Sequence, residues 1–293
     1  MRYKEPQIIN LPPFTYFGED IDSYSLLKKI IFIFKGKFIG FVVSNTKNQY
    51  LCFILNIFYK KEGKIHYSDN FYYKDLEEGI RIYFPNKRIL RVVRKYKQHF
   101  KKIYESYLLN HINFSEGDIV VDCGSNVGEI NIALKLLNIE IDYFGFEPDP
   151  KSFESLKLNN PESLENLNQL GLSNSNGESN FYLDSFGGNS SLVDFGSDSK
   201  ITVKTKRLDT FEFNDQIKLL KIDAEGFELE VLEGCGELLK KINYISVDYG
   251  AEKGKNQDLT IVEVNNLLYE NNFKLISFNE NRIIGLYVNN QLS

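Results

Sequence analysis

Hydrophobic and polar positions fall into two textures along the 293-residue chain. Between residues 30 and 85 the runs FIGFVV, YLCFILNIFY, KIHYSDNFYY and GIRIYF are short, aromatic and partly alternating, with polar breaks such as SNTKNQ and KKEGK between them. That pattern predicts β-strands. Beyond Pro85, the residues Ile89, Val92, Val93, Tyr96, Phe100, Ile103, Tyr104, Tyr107 and Leu108 recur at helical spacing. Arg88, Arg91, Arg94, Lys95, Lys97, Lys101 and Lys102 line the opposite face, so one bent basic helix or two are expected.

From residue 117 the pattern alternates between strand and helix. Strands are predicted at 118–123, 142–147, 167–172, 218–223, 243–249, 273–278 and 282–288, and helices at 127–138, 150–159, 226–241 and 259–271. Such alternation is the signature of a mostly parallel sheet covered on both faces. NFYLDS and KITVKTK predict a hairpin at 178–184 and 200–206, and the Gly/Ser-rich FGGNSSLVDFGSDS between its arms suits a mobile loop over a site. The expected organisation is a β-rich N-terminal region at 1–86 for acceptor binding or oligomerisation, a basic linking helix at 87–116, and an α/β domain at 117–293.

Composition narrows the class. With 42% apolar and 26% charged residues the chain is neither disordered nor fibrous. The net charge of −5 argues against a general polyanion binder, yet it hides a division. Residues 1–110 carry 20 Lys/Arg and 10 Asp/Glu, whereas 111–293 carry 15 and 30. The basic part either faces an anionic partner or packs against the acidic one. Cys52, Cys123 and Cys235 are far apart and form no paired framework, which suits a reducing compartment. The start shows no secretory pattern, and the apolar stretch 26–43 is broken by Lys28, Lys29, Lys35 and Lys37. A membrane span is not expected there, and a cytoplasmic protein is.

Three segments carry chemistry. In IVVDCGSNVGEINIALKLL a buried strand ends at Asp122, Gly124 and Gly128 make the turn, and a helix follows. A glycine turn at the carboxyl end of a parallel strand lets backbone approach a ligand. Asn126 stands where a dinucleotide fold has its second glycine, and no Lys-Ser/Thr of a phosphate loop follows. The second segment, YFGFEPDP, places Glu147 at the next strand tip, where a carboxylate can grip ribose hydroxyls. Pro148 and Pro150 end that strand and open a helix. In the third, LLKIDAEGFELEVLEG, Lys221 and Asp223 share one strand face, and Glu225 follows at the tip. Glu228, Glu230 and Glu233 are expected on the solvated face of the following helix. His66, His99 and His111 each stand alone, which suits structural roles better than catalytic ones.

DCGSNVG, FEPDP and KIDAEGFELEVLEG together resemble the FkbM-type methyltransferases, a branch of the class I S-adenosylmethionine-dependent enzymes, over about residues 105–288. Ser125 replaces the commoner alanine of the first motif. SSL at 190–192 and RLD at 207–209 also resemble short family pieces. The resemblance implies a Rossmann-like, seven-stranded, mostly parallel sheet whose last strand is antiparallel. It also implies S-adenosylmethionine over the first two strand tips, with Asp122, Gly124, Ser125, Asn126 and Gly128 at the methionine end. Glu147 and Pro148 would lie at the ribose, and Gly171 and Leu172, with Leu170, at the adenine. Asp223, Glu225 and Asp248 are the candidate bases for a hydroxyl acceptor. Carboxylates on adjacent strand tips could instead hold Mg²⁺, so the metal stays open at this point.

The family implies O-methylation of a sugar hydroxyl. The basic segment would suit a nucleotide-activated sugar or a glycan of surface-polysaccharide biosynthesis. Two alternatives stand beside it. RNA methylation would use the basic segment and its tyrosines, against which the acidic body argues. A non-catalytic cofactor-binding or scaffold protein would use the aromatic N-terminal region, which would also suit a homo-oligomer interface.

Overall fold

Two helices occupy the stretch in which strands are predicted. In the computed structural model, α1 (Pro13–Tyr16) is followed by α2 (Leu26–Asn45) and α3 (Asn48–Tyr59), so FIGFVV and YLCFILNIFY are helical. Ser25 caps α2 by accepting from Lys28 N at 3.4 Å. Apolar side chains surround α2 on most sides, which hides the 3.6-residue period. In α3 the period is present, since Leu51, Cys52, Leu55 and Tyr59 are buried on one face. The last two runs are strands as predicted: β1 (Ile65–Ser68), β2 (Phe71–Asp75) and β3 (Arg81–Phe84) form an antiparallel meander. Asn56 on α3 fixes β1 by bonding both the N–H and the C=O of Ile65, at 2.9 and 2.8 Å. The N-terminal region is therefore mixed α and β.

The basic segment is not one helix. A 3₁₀ stretch at Lys87–Val92 precedes α4 (Tyr96–Ser106). Buried Lys74 on β2 donates to Val92 O at 2.7 Å, closing the end of that stretch. Burial pulls the Lys74 pKa down to about 8.

Residues 11–76, 79–183, 190–194, 199–250, 253, 254, 256 and 258–292 are described by the structure. The chain divides into two compact units, 1–99 and 100–293. This division falls inside the basic segment, between the residues 86/87 and 116/117 at which the sequence suggests boundaries.

The second unit holds β4 (Asp118–Cys123), α5 (Glu129–Lys135), β5 (Ile141–Phe146), α6 (Pro150–Asn159), β6 (Leu167–Asn168), β7 (Gly171–Leu172), β8 (Gly177–Tyr182) and β9 (Lys200–Lys206). It continues with β10 (Ile217–Ile222), α7 (Glu228–Glu233), β11 (Ile242–Asp248), α8 (Ile261–Glu270), β12 (Phe273–Asn279) and β13 (Ile284–Asn289). Seven strands make the main sheet in the order β12-β13-β11-β10-β4-β5-β6. Neighbours from β11 to β6 are parallel, and β13 is antiparallel to both β11 and β12. This is the Rossmann-like sheet implied by the motifs, with its order reversing beside β4. The 178–184/200–206 hairpin is present as β8 and β9, to which β7 adds in parallel. Most of FGGNSSLVDFGSDS lies outside the described residues.

Candidate active site

The site is built on the carboxyl ends of β5, β4, β10 and β11. After β4 the chain turns through Gly124 and Asn126, with φ of +71° and +50°, and Gly128, with φ of +81°. Gly124 is required by space as well: a Cβ there would stand 1.9 Å from the carbonyl oxygen of Asp223. Ser125 is buried and its hydroxyl is engaged twice, donating to Asp122 O at 2.7 Å and accepting from Phe146 N at 2.8 Å. It ties the turn to β5, a bond that alanine could not make.

Asp122 has no exposed surface. Its carboxylate accepts from Tyr143 Oη at 2.7 Å and pairs with Lys221 Nζ at 2.9 Å. This side chain thus faces the sheet and orders the turn, leaving the turn's backbone to meet a ligand. Strand register explains the pairing, because Lys221 on β10 stands opposite Asp122 on β4. Lys221 Nζ also donates to Cys123 O and Gly124 O, at 3.1 and 2.9 Å. Burial alone would lower the Lys221 pKa, but Asp122, Tyr107 and Asp223 outweigh it and the pKa is raised.

Glu147 lies one strand over. Its carboxylate accepts from Asn126 N at 2.7 Å and from Asp149 N at 2.8 Å, joining the β4 and β5 turns. Burial raises its pKa to about 7. A carboxylate has about four acceptor directions, so two remain for hydroxyl donors. Pro148 is half-buried between Glu147 and Asp149, which caps α6 by accepting from Ser152 N at 2.7 Å. Leu170 and Gly171 follow the β6 tip, where Asn168 O accepts from both Glu147 N and Leu170 N. Leu172 points into the core with Leu208 and Val231, so only its backbone is available to a ligand.

On the other side of the turn, Asp223 accepts a short hydrogen bond from Tyr107 Oη. Asp248, at the β11 tip, pairs with Arg282 Nη2 at 2.8 Å. The same nitrogen lies 3.9 Å from Asp223 and 3.3 Å from Tyr107 Oη. Five charged side chains (Asp122, Lys221, Asp223, Arg282 and Asp248) and Tyr107 therefore form a continuous chain along the strand tips. Asp223 is the more accessible of the two outer carboxylates, its side chain 20% exposed against 9% for Asp248. Glu225 is set apart by its backbone, with φ of +52° and its carbonyl accepting from Ser191 Oγ at 2.6 Å.

Asp223 and Asp248 as they stand leave no place for Mg²⁺ between them, because the Arg282 guanidinium already supplies the cation there, its Nη2 at 2.8 Å from Asp248 and 3.9 Å from Asp223.

Sequence reasoning missed Tyr107 and Arg282, which arrive from a helix end and a hairpin turn remote in sequence. It also misplaced Glu228, which is buried: Glu228 accepts from Gly226 N at 2.8 Å and Thr260 Oγ1 at 2.9 Å. Glu230 is half-buried and Glu233 is exposed. Among the histidines, His66 stacks on Tyr73 and His111 meets Ser277 at 3.3 Å on the edge strand β12.

The methyltransferase FkbM domain model matches residues 122–275, from the β4 tip into β12. The chain belongs to this family. Its second unit is accordingly a class I methyltransferase domain, whose methyl donor is S-adenosylmethionine. A hexuronic acid methyltransferase, AglP of Haloferax volcanii, is 29% identical over 141 residues, covering 46% of this chain and 57% of that protein. A 2-O-methyltransferase, NoeI of Sinorhizobium fredii, is 25% identical over 156 residues, covering 46% and 64%. The chain thus spans less than two thirds of either relative. The crystal structure of methyltransferase FkbM from Methylobacillus flagellatus superposes with a TM-score of 0.44 at 15% identity, over 69% of this chain and 54% of that one.

Proposed function

We propose that the protein transfers a methyl group from S-adenosylmethionine to a hydroxyl of a sugar, carried by a nucleotide or a glycan. The observation that carries the reading is the placement of Glu147 and Asp223 on opposite sides of one glycine turn, a ribose-type acceptor on one side and a reachable carboxylate on the other. The hexuronic acid specificity in the name of the Haloferax relative supports a sugar acceptor.

When bound, S-adenosylmethionine supplies a methyl carbon on a sulfonium, an electrophile that needs an aligned acceptor more than further activation. The turn from Gly124 to Gly128 offers backbone to its methionine end, and Glu147 accepts from the ribose hydroxyls. The backbone of Leu170, Gly171 and Leu172 borders the adenine. Asp223 takes the acceptor proton as the new O–C bond forms, with Tyr107 and Arg282 holding its carboxylate in place. Asp248 positions Arg282, and Glu225 shapes the turn behind Asp223.

Calorimetric titration with S-adenosylmethionine tests the first half: Glu147→Ala should weaken binding by about 2 kcal/mol, the scale of hydrogen bonds to a charged group. Methyl transfer to uronic-acid glycans and nucleotide sugars tests the second. Asp223→Asn should lower turnover by about a hundredfold or more while leaving cofactor affinity within about twofold. Unaltered turnover in Asp223→Asn would remove Asp223 as the base.

A further inference from the structure

Helices α2 and α3 leave a large apolar face in solvent. Leu27, Phe34 and Phe41, seven residues apart on α2, are 69%, 71% and 66% exposed. Tyr50, Phe53 and Ile57 on α3 are 71%, 69% and 59% exposed. The Phe38 ring on α2 meets Phe58 on α3 at 5.7 Å, which joins the two stripes into one surface. Single exposed apolar residues need no explanation, but a contiguous aromatic patch of this size marks an interaction site.

Its charge decides the occupant. Residues 23–61 contain seven lysines and no aspartate or glutamate. At about 100° per residue Lys37 flanks the α2 stripe on one side and Lys35 and Lys28 on the other, so the cations border the apolar face. Behind that border lies a cavity of about 350 Å³ lined by Lys28, Lys35, Lys61 and Arg94. Its two acids are engaged: Glu19 pairs with Arg94 and Lys95, and Glu62 accepts from Lys95 N. Lys28, Ile31 and Phe58 belong to both the helices and the cavity wall. A second copy would bring two lysine-bordered faces together in mutual repulsion. An anionic surface with an apolar interior would satisfy both the lysines and the aromatics.

We propose that the α2–α3 face docks the protein on an anionic lipid bilayer, lying in the interface with headgroup phosphates taken by the lysines around the cavity. Among the described residues no helix is long and apolar enough to cross a membrane, and the four lysines of α2 agree with a helix that lies flat instead. Lipid docking requires nothing of the methyl-transfer site, so the two readings fail separately.

Co-sedimentation of the full chain with phosphatidylglycerol vesicles and with phosphatidylcholine vesicles tests the proposal. Binding to the anionic vesicles alone is expected, weakening as salt rises from about 0.1 to about 1 M. Phe34→Ser with Phe53→Ser should lower that binding by about tenfold or more, the side chains being exposed and their removal harmless to the fold. Because the chain has no tryptophan, Phe34→Trp provides an independent reading: its emission should shift to the blue on anionic vesicles and be quenched by brominated lipid. No sedimentation of the wild type would overturn the proposal. So would sedimentation indifferent to the serine substitutions, an indole emission of the Phe34→Trp protein that stays unshifted on anionic vesicles, or light scattering that shows the face closed in a dimer that the serine substitutions dissociate.

Discussion

Lys221 is the residue on which the strand tips depend. It is 3% exposed, pairs with a fully buried Asp122 and closes two carbonyls of the β4 turn. Replacing it by methionine keeps the volume but leaves the Asp122 charge without its partner, a loss of about 3–5 kcal/mol. Arg282→Met should cost much less, about 1 kcal/mol, because its side chain is 40% exposed and water can replace it. Urea denaturation followed by circular dichroism separates the two, and equal losses would contradict this ordering. Glu147 makes a different kind of prediction. With its pKa raised by burial to about 7, it is partly protonated at neutral pH in the ligand-free protein. Accepting from ribose hydroxyls favours the carboxylate, so cofactor binding should release protons near pH 7 and weaken as the pH falls below it. Titration in buffers of different ionisation enthalpy measures that release directly, and Glu147→Gln should abolish it.

At the scale of elements, the approach of β4 and β10 is set by Gly124. An alanine there would hold a left-handed φ at a cost of about 1–3 kcal/mol and force its Cβ onto the Asp223 carbonyl. Gly124→Ala should therefore lower the melting temperature and cofactor affinity together, whereas Glu147→Ala should reduce affinity with much less effect on melting. These tips were legible in the sequence because each is a local event: a buried strand, a glycine turn, a helix. The carboxylates Asp223 and Asp248 could be placed from strand ends alone. Their partners could not, since Tyr107 and Arg282 reach them across 116 and 34 residues of chain respectively. The helices α2 and α3 were misread for a related reason. Aromatic and β-branched runs mimic strands when a helix is apolar on several faces, and the Gly36 contact with Leu11 that seats α2 is invisible in the pattern. Glu228 was lost because its companion Thr260 lies 32 residues away.

For the whole molecule, the buried carboxylates determine how stability responds to pH. Glu147 and Glu228 are both raised to about 7, in each case chiefly by burial, against an ordinary value of 4.5. A group whose pKa is higher in the folded state binds more protons there than in the unfolded chain, so its contribution is full below about 4.5 and is lost as pH rises through about 7. Glu19 acts in the opposite sense. Burial would raise its pKa, but Tyr24, Arg94 and Lys95 hold it down at about 2, so its contribution is present above about 4.5 and is lost as the pH falls from there through about 2. Between about pH 5 and pH 7 the two raised carboxylates therefore set the slope, and the ligand-free protein should melt at higher temperature near pH 5 than near pH 7.5. Glu228→Gln should flatten that slope, because a glutamine can still meet Thr260 without a charge to bury. Saturating S-adenosylmethionine should flatten it as well, by keeping Glu147 ionised in the folded state. Scanning calorimetry across this range measures both effects, and a melting temperature that climbs from pH 5 to pH 7.5 would mean that Glu147 and Glu228 are ionised in the folded protein.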